Sequence, residues 1–331
     1  MSHSYKWGIL STGKIANHFA EGLTLLDAAD IHAVGSRAIG TAERFADKWS
    51  ITNAYGSYDE LYNDKEVDII YIGTPHNLHY QNTMDALSAG KHVLCEKAFA
   101  LNANQARNMV ELARHQGLFL MDAMWNRFQP WYTKVQEIIS SGVLGELIHF
   151  KADLSFKFDF DPQHRLFNPD LGGGSLLDLG VYPLTLASAF MGAPDVVHST
   201  VHKCSTGVDD QVTMILSYPE GASSELASSS RYTSKINPAL FGSEGSLEIH
   251  GMIRSGRLTL HLPGKDPEVI EVPYVGNAYQ YEAQAVMDML DQNKLEHPLM
   301  PLEETVANLQ IMDLIRKNAE IKYPEEHEAV I

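Results

Sequence analysis

GILSTGKIA, residues 8–16, carries an apolar segment into an amphipathic one through a turn of small residues. Tyr5 to Leu10 (YKWGIL) reads as a strand, and Ile15, Phe19, Leu23 and Leu26 then recur at helical spacing. A strand that passes directly into a helix leaves unpaired N–H groups and the positive end of the helix dipole at the turn. That arrangement suits an anion, and a dinucleotide pyrophosphate also needs close backbone approach. The spacing follows G-x-G-x-x-G/A except that Ser11 stands at the first glycine. Ser11, Thr12, Gly13, Lys14 and Ile15 are therefore the candidate pyrophosphate-binding residues.

Strands and helices keep alternating beyond this turn. IHAVGS (31–36), VDIIYIG (67–73), HVLCEK (92–97) and LFLMDAMW (118–125) read as strands. Between them, Thr41 is placed to cap a helix running to Trp49. YQNTMDALSA stops at Gly90, and a helix capped by Asn102 ends at Gly117. Repeated βαβ units predict a parallel Rossmann sheet over residues 1–124. After Trp125 the pattern changes. A helix at 131–141 precedes strict alternation from 148 to 160, with Ile148, Phe150, Ala152, Leu154, Phe156, Phe158 and Phe160 on one side. Period two with one apolar face predicts a strand covered on one side only. Further strands are expected at 196–203, 210–218, 223–232, 246–250 and 257–262, and helices at 175–190, 279–292 and 302–320. The expected class is α/β: a Rossmann domain followed, over 125–331, by an α+β domain with a large open, mostly antiparallel sheet. Such a sheet must cover its apolar side with its own helices or with another subunit.

The end of the second strand bears on the choice of nucleotide. An NAD site usually has an acid there for the ribose 2′-hydroxyl. This chain reads Gly35-Ser36-Arg37, with the nearest acids at Asp30 and Glu43. A hydroxyl and a guanidinium suit a 2′-phosphate, so Ser36 and Arg37 point to NADP.

Composition sets the outer limits. The 331 residues fit two domains, and 44% hydrophobic residues suffice for a large core. A net charge of −17 repels phosphate backbones and anionic lipid, which argues against nucleic acid or membrane as a partner. Cys95 and Cys204 are too few for a disulfide framework, and the start shows no leader pattern, so a cytoplasmic protein is expected. PEEHEAVI (324–331) reads as a solvated acidic tail. Asp159, Asp161 and His164 have donors at metal-like spacing, but Asp159 and Asp161 continue the polar face of the long strand, and no metal is expected. Cys95 lies in an apolar strand and reads as an inert buried thiol.

TPHNLH (74–79), GKHVLCEKAF (90–99) and GGGSLLDLGVY (172–182) together carry a resemblance. The chain resembles the glucose–fructose oxidoreductase, inositol dehydrogenase and rhizopine-catabolism (Gfo/Idh/MocA) family over nearly its whole length. With tyrosine rather than histidine at 182, it is similar to the branch that includes dimeric dihydrodiol dehydrogenase and NADP-dependent xylose dehydrogenase. The resemblance implies that Lys97 lies beside nicotinamide and substrate, that Asp178 orients the substrate, and that Tyr182 is the general acid/base. It places Thr74, Pro75, Asn77, His79, Glu96 and Lys97 in the cofactor loops. Trp125 and Arg127, from DAMWNRFQP (122–130), fall near the nicotinamide and the substrate pocket. Tyr279, from GNAYQYE (276–282), lends an aromatic wall, and Phe156 is assigned to the same pocket. The implied reaction is reversible hydride transfer between a secondary alcohol or hemiacetal carbon and NADP. Its substrate would be a sugar or polyol, in a homodimer or higher homo-oligomer. A trans-dihydrodiol or dicarbonyl substrate, and a non-catalytic NADP-binding regulator, are the alternatives.

Asp178 and Tyr182 are four residues apart in a helical stretch and so share a face. Tyrosine, with a pKa of about 10, is a poor base at neutral pH. An ammonium about 4 Å away contributes roughly 4 kcal/mol at an effective dielectric near 20, about three pK units, opposed in part by desolvation. Lys97 could thus activate Tyr182. One departure bears on this: the family's Glu-Lys-Pro is Glu96-Lys97-Ala98 here. The lysine–proline bond of relatives is expected to be cis, whereas a bond before alanine favours trans far more strongly. Two placements of Lys97 therefore remain open.

Overall fold

The computed structural model describes residues 4–324. The sequence readings on 1–3 and on 325–331, which include most of the acidic tail, lie outside the described residues. Packing divides the chain into two units. One comprises the chain up to Trp125 together with Val275–Val306; the other comprises Asn126–Tyr274 and the segment from Ala307 onward. Residues 275–306, read from the sequence with the second domain, thus pack with the first.

In the first unit, β1 (Tyr5–Leu10), β2 (Ala29–Gly35), β3 (Asn53–Tyr55), β4 (Ile69–Ile72), β5 (His92–Glu96) and β6 (Leu120–Ala123) form a parallel sheet in the order β3-β2-β1-β4-β5-β6. Strand order reverses between β1 and β4, and the crevice beyond the carboxyl ends of such a pair is where open α/β sheets take ligands. Ile69, Ile70, Tyr71 and Ile72 are fully buried, as a strand covered on both faces requires. The helix Ala103–Gln116 begins where Asn102 accepts a bond from the Gln105 N–H (2.9 Å) and ends at Gly117 in the left-handed region. The helix expected to start at Thr41 begins earlier, at Ile39. Thr41 instead donates to the Ala38 carbonyl (2.6 Å) and meets the Ser36 hydroxyl (2.9 Å). The last strand stops at Ala123, and Trp125–Phe128 is a 3₁₀ turn.

In the second unit, β7 (Leu147–Ser155), β8 (Val196–Lys203), β9 (Asp209–Ser217), β10 (Ser223–Ser229), β11 (Ala239–Gly242), β12 (Ser246–Ile249), β13 (Arg257–His261) and β14 (Glu268–Glu271) run in the order β14-β13-β12-β11-β7-β10-β9-β8. Only the β7–β10 pair is parallel; the other pairs are antiparallel. The helix Val181–Met191 covers one face, where Phe150 meets Phe190 edge-on at 5.5 Å. This helix lies in a long apolar segment, 169–191, that is mostly buried, so it is a core helix of this unit. The long strand ends at Ser155 and not at 160. Its partner β10 ends at Ser229, opposite Ser155; beyond that pair the regular ladder stops, although the Phe156 N–H still bonds Ser229 O (3.0 Å) and the Phe158 N–H bonds Ser230 O (2.9 Å). Phe156, Phe158 and Phe160 consequently stand 41%, 39% and 50% exposed.

Candidate active site

The turn after β1 is built for close approach. Ser11 has φ 117°, a region that favours glycine, so the backbone keeps a glycine-like geometry although the residue is serine. Its hydroxyl accepts from the Gly13 N–H (3.2 Å), and its own N–H bonds Gly35 O (3.0 Å). The helix Lys14–Leu23 then starts with no side-chain cap, and Gly13 and Lys14 are exposed. An uncapped, exposed helix start beside a positive-φ turn fits a dinucleotide pyrophosphate. At the end of β2, Ser36 is buried against Thr41 while Arg37 is exposed. Arg37 lies near enough to Tyr58 for its charge to oppose the upward push of burial on that phenol. This donor set fits an adenosine carrying a 2′-phosphate.

The loop after β4 lies beside the first turn, with the Gly73 N–H bonded to Leu10 O (3.1 Å). A Cβ on Gly73 would press on the Tyr71 ring (2.9 Å) and on Ile15 (3.3 Å), so glycine lets the two loops meet. Pro75 precedes the helix His76–Ser88, and Asn77 in its first turn is half-buried. The buried Thr74 hydroxyl accepts from Asn82 Nδ2 (2.9 Å). His79 is fully buried, with its ring nitrogens 2.8 Å from the carbonyls of Thr74 and Ala98. Burial pulls its pKa down to about 4, against the pull of the two carbonyls toward the protonated ring. The motif histidine thereby ties the loop after β4 to the loop that carries Lys97.

Lys97 is half-buried at the end of β5, and its bond to Ala98 is cis. Glu96 is buried, accepts the Tyr71 hydroxyl (2.5 Å) and lies 3.3 Å from the Lys97 N–H. Behind it lies a residue that sequence reading passed over. Glu282 is wholly buried, and neither carboxyl oxygen has a hydrogen-bond partner. Burial, and then the charges of Glu96 and Asp122, raise its pKa well above the carboxylate range. Glu282 sits in the first turn of Gln280–Asp291, immediately after Tyr279, whose ring stacks on Trp125. Cys95 is buried, and burial drives its thiol pKa up, as an inert sulfur requires.

In the second unit the glycine-rich motif is held by close backbone packing. Gly172 has φ 69° and Gly174 φ 125°. A Cβ on Gly173 would lie 2.8 Å from Arg165 O and Asn168 O, and one on Gly174 would collide with the Asp209 carboxylate. Asp209, also missed from sequence, accepts the Ser175 hydroxyl (2.8 Å) and the Leu176 N–H (2.6 Å), holding the start of the next turn. That turn, Leu176–Gly180, is π-helical, and Gly180 lets it approach Ser228 of β10. Asp178 lies within it, and Tyr182 follows in the first turn of Val181–Met191. Both are buried, at 4% and 5% exposure. π-Helical turns cluster at functional sites. Arg165 forks onto Asp178 with bonds of 2.8 and 3.0 Å. Arg127 is buried and donates to the Tyr132 hydroxyl (3.1 Å). Phe156 is half-exposed just beyond β7, its N–H bonded to Ser229 O (3.0 Å). Asp161 turns its chain by accepting the Gln163 N–H (2.9 Å).

Known proteins match both units. The chain is 34% identical over 330 residues to trans-1,2-dihydrobenzene-1,2-diol dehydrogenase of Mus musculus, covering 97% of this chain and 98% of that one. It is 34% identical over 368 residues to D-xylose 1-dehydrogenase (NADP(+)) of Hypocrea jecorina, covering 98% and 94%. A 3-ketoreductase from Actinomadura kijaniata, solved with NADP and TDP-benzene, superposes with a TM-score of 0.85 at 24% identity over 95% of this chain and 98% of that one. Residues 5–123 match the oxidoreductase family with an NAD-binding Rossmann fold and residues 132–248 match the GFO/IDH/MocA C-terminal domain, so the chain belongs to the GFO/IDH/MocA family of NAD(P)-dependent oxidoreductases.

Proposed function

We propose that this oxidoreductase uses NADP and acts on a secondary hydroxyl or the matching carbonyl of a sugar or polyol. The observation that carries the reading is the pair of buried side chains on one helical start, Asp178 in the π-helical turn and Tyr182 just after it. A carboxylate there accepts the substrate hydroxyl and fixes its direction, and a phenol there exchanges the hydroxyl proton. Lys97 is the residue proposed to supply positive charge for the developing alkoxide. Ser11, Thr12, Gly13, Lys14 and Ile15 would hold the pyrophosphate, and Ser36 and Arg37 the 2′-phosphate. The loops bearing Thr74, Pro75, Asn77, Glu96 and Lys97, with Arg127, would border the nicotinamide. The bound nucleotide supplies hydride acceptance and donation.

A cyclic diol is the second reading. The residues assigned to the pocket include the aromatic rings of Trp125 and Tyr279, which stack at 4.4 Å, and the mouse relative is named for a dihydrobenzene diol. Purified protein assayed with NADP and NAD against aldoses, polyols and dihydrodiols, by absorbance of the reduced nicotinamide, separates the two. NADP-dependent turnover lost in Tyr182→Phe supports the mechanism. NADPH binding without turnover in either direction would instead favour a regulator.

The assembly belongs to the same proposal. One row of paired residues on the sheet face opposite Phe150 runs Ile215, Glu225, Lys151, Ala239, Glu248, Thr259, Val269, and Ile215 and Val269 are 42% and 54% exposed. A second copy of the chain would cover this face, making a homodimer or higher homo-oligomer. Light scattering coupled to size exclusion reads the mass directly.

A further inference from the structure

We propose that Arg165 is a positioning residue for the reaction, acting through Asp178; this rests on the role given to Asp178 above. The Asp178 side chain is 5% exposed and the Arg165 side chain 53% exposed, so a surface guanidinium reaches down onto an enclosed carboxylate. The contact is two-pronged, Nη1 to Oδ1 at 2.8 Å and Nη2 to Oδ2 at 3.0 Å. A planar fork on both oxygens fixes the rotation of the carboxylate, which a single ammonium does not do. It also favours the ionised form, the only form in which both oxygens accept. A carboxylate that must receive a substrate hydroxyl needs both properties.

Both ends of this pair are built on one piece of backbone. The Arg165 carbonyl packs where a Cβ on Gly173 would lie, and the Leu166 carbonyl accepts the Gly174 N–H at 2.8 Å. The same glycines lead into the π-helical turn that carries Asp178, whose N–H bonds Gly174 O (3.3 Å). On either side of Arg165, Leu166 is buried and the His164 ring is near those of Phe158 (5.9 Å) and Phe167 (6.2 Å). The arginine therefore starts from a braced loop although its tip is half in water.

Arg165→Met, Arg165→Lys, Asp178→Asn and the Met/Asn double variant test this, with NADPH fluorescence confirming that each folds and binds nucleotide. Arg165→Met should lower kcat/KM about 10- to 100-fold, and Arg165→Lys, which keeps charge without the fork, should restore only part. In the Asp178→Asn background the same change should cost less than about 2-fold, because the group it orients is already gone. Wild-type activity in Arg165→Met, or an equal loss in both backgrounds, would overturn the proposal. If the wild type turns over no substrate, the oxidoreductase reading fails instead. The pairing is then read from thermal melts of the wild type, Arg165→Met, Asp178→Asn and the double variant, where additive losses would overturn it. If Arg165→Met does not fold, Arg165→Gln takes its place in the cycle.

Discussion

Trp125 and Tyr279 lie face to face in the first unit, their ring centroids 4.4 Å apart and their planes 18° from parallel. Both are buried, and the His18 ring lies nearly parallel to that of Tyr279, with centroids 6.1 Å apart. The ring assigned to the pocket from the C-terminal half of the sequence is thus fixed by a ring from the N-terminal half. Tyr279→Ala and Trp125→Ala should each lower kcat/KM about 10-fold. A double-variant cycle on thermal stability should give a coupling of about 1 kcal/mol, as expected for a stacked pair. Additive losses would show that the stack contributes area alone.

The turn after β1 offers a test with opposite signs at one position. Ser11 holds φ 117°, where a side chain costs about 1 kcal/mol or more relative to glycine. Ser11→Gly should therefore keep or raise the melting temperature. Ser11→Ala loses the bond to the Gly13 N–H and keeps the costly backbone, so it should melt lower. A gap of about 1 kcal/mol between the two variants by denaturant melts is expected; equal stability would mean that the turn relaxes.

Arg37→Ala should raise KM for NADP about 10- to 100-fold and leave KM for NAD within about 3-fold. Initial rates with both nucleotides measure this. A parallel loss with NAD would mean that Arg37 holds the adenine rather than the 2′-phosphate.

Glu282 makes stability depend on pH in a defined direction. Its folded pKa is raised well above the usual value, so the folded protein keeps a proton that the unfolded chain releases above about pH 4.3. Stability from this group is then lost as pH rises from there toward the folded pKa, at about 1.4 kcal/mol per unit. Glu282→Gln removes that loss. Variant and wild type should differ least near pH 4 and diverge in the variant's favour toward neutral pH, as read by melts across that range. A constant difference would mean that Glu282 is ionised in the folded protein.

The parts of this molecule legible in the sequence are those fixed by local rules. The helix capped by Asn102 and ended by Gly117 needs only its own residues, and so does the turn from β1 into Lys14–Leu23. The short strands Asn53–Tyr55, Ala239–Gly242 and Glu268–Glu271 escaped because three or four residues carry no period, and only their neighbours make them strands. Alternation overshoots at Phe156 because it records which side a residue faces and not where the regular ladder with β10 stops. The Asp178–Tyr182 spacing was visible, but not the π-helical turn, which depends on Asp209 and on the close approach of Ser228. Glu282 and Arg165 look in sequence like ordinary charged residues of a helix and a loop, and only tertiary contact distinguishes them.

The return of residues 275–306 to the first unit has a consequence for taking the protein apart. Leu120 at the outer strand β6 donates to Leu295 O (3.2 Å), Tyr5 donates to Asp291 (2.7 Å), and Asn277 donates to His18 O (2.8 Å). A fragment ending at Trp125 would strip these partners away and bare the edge of β6, an invitation to aggregation. The nucleotide-binding half is therefore not a module that a gene could donate by a single cut. To move it into another protein, the helical return must be spliced back on, with a linker in place of residues 126–274.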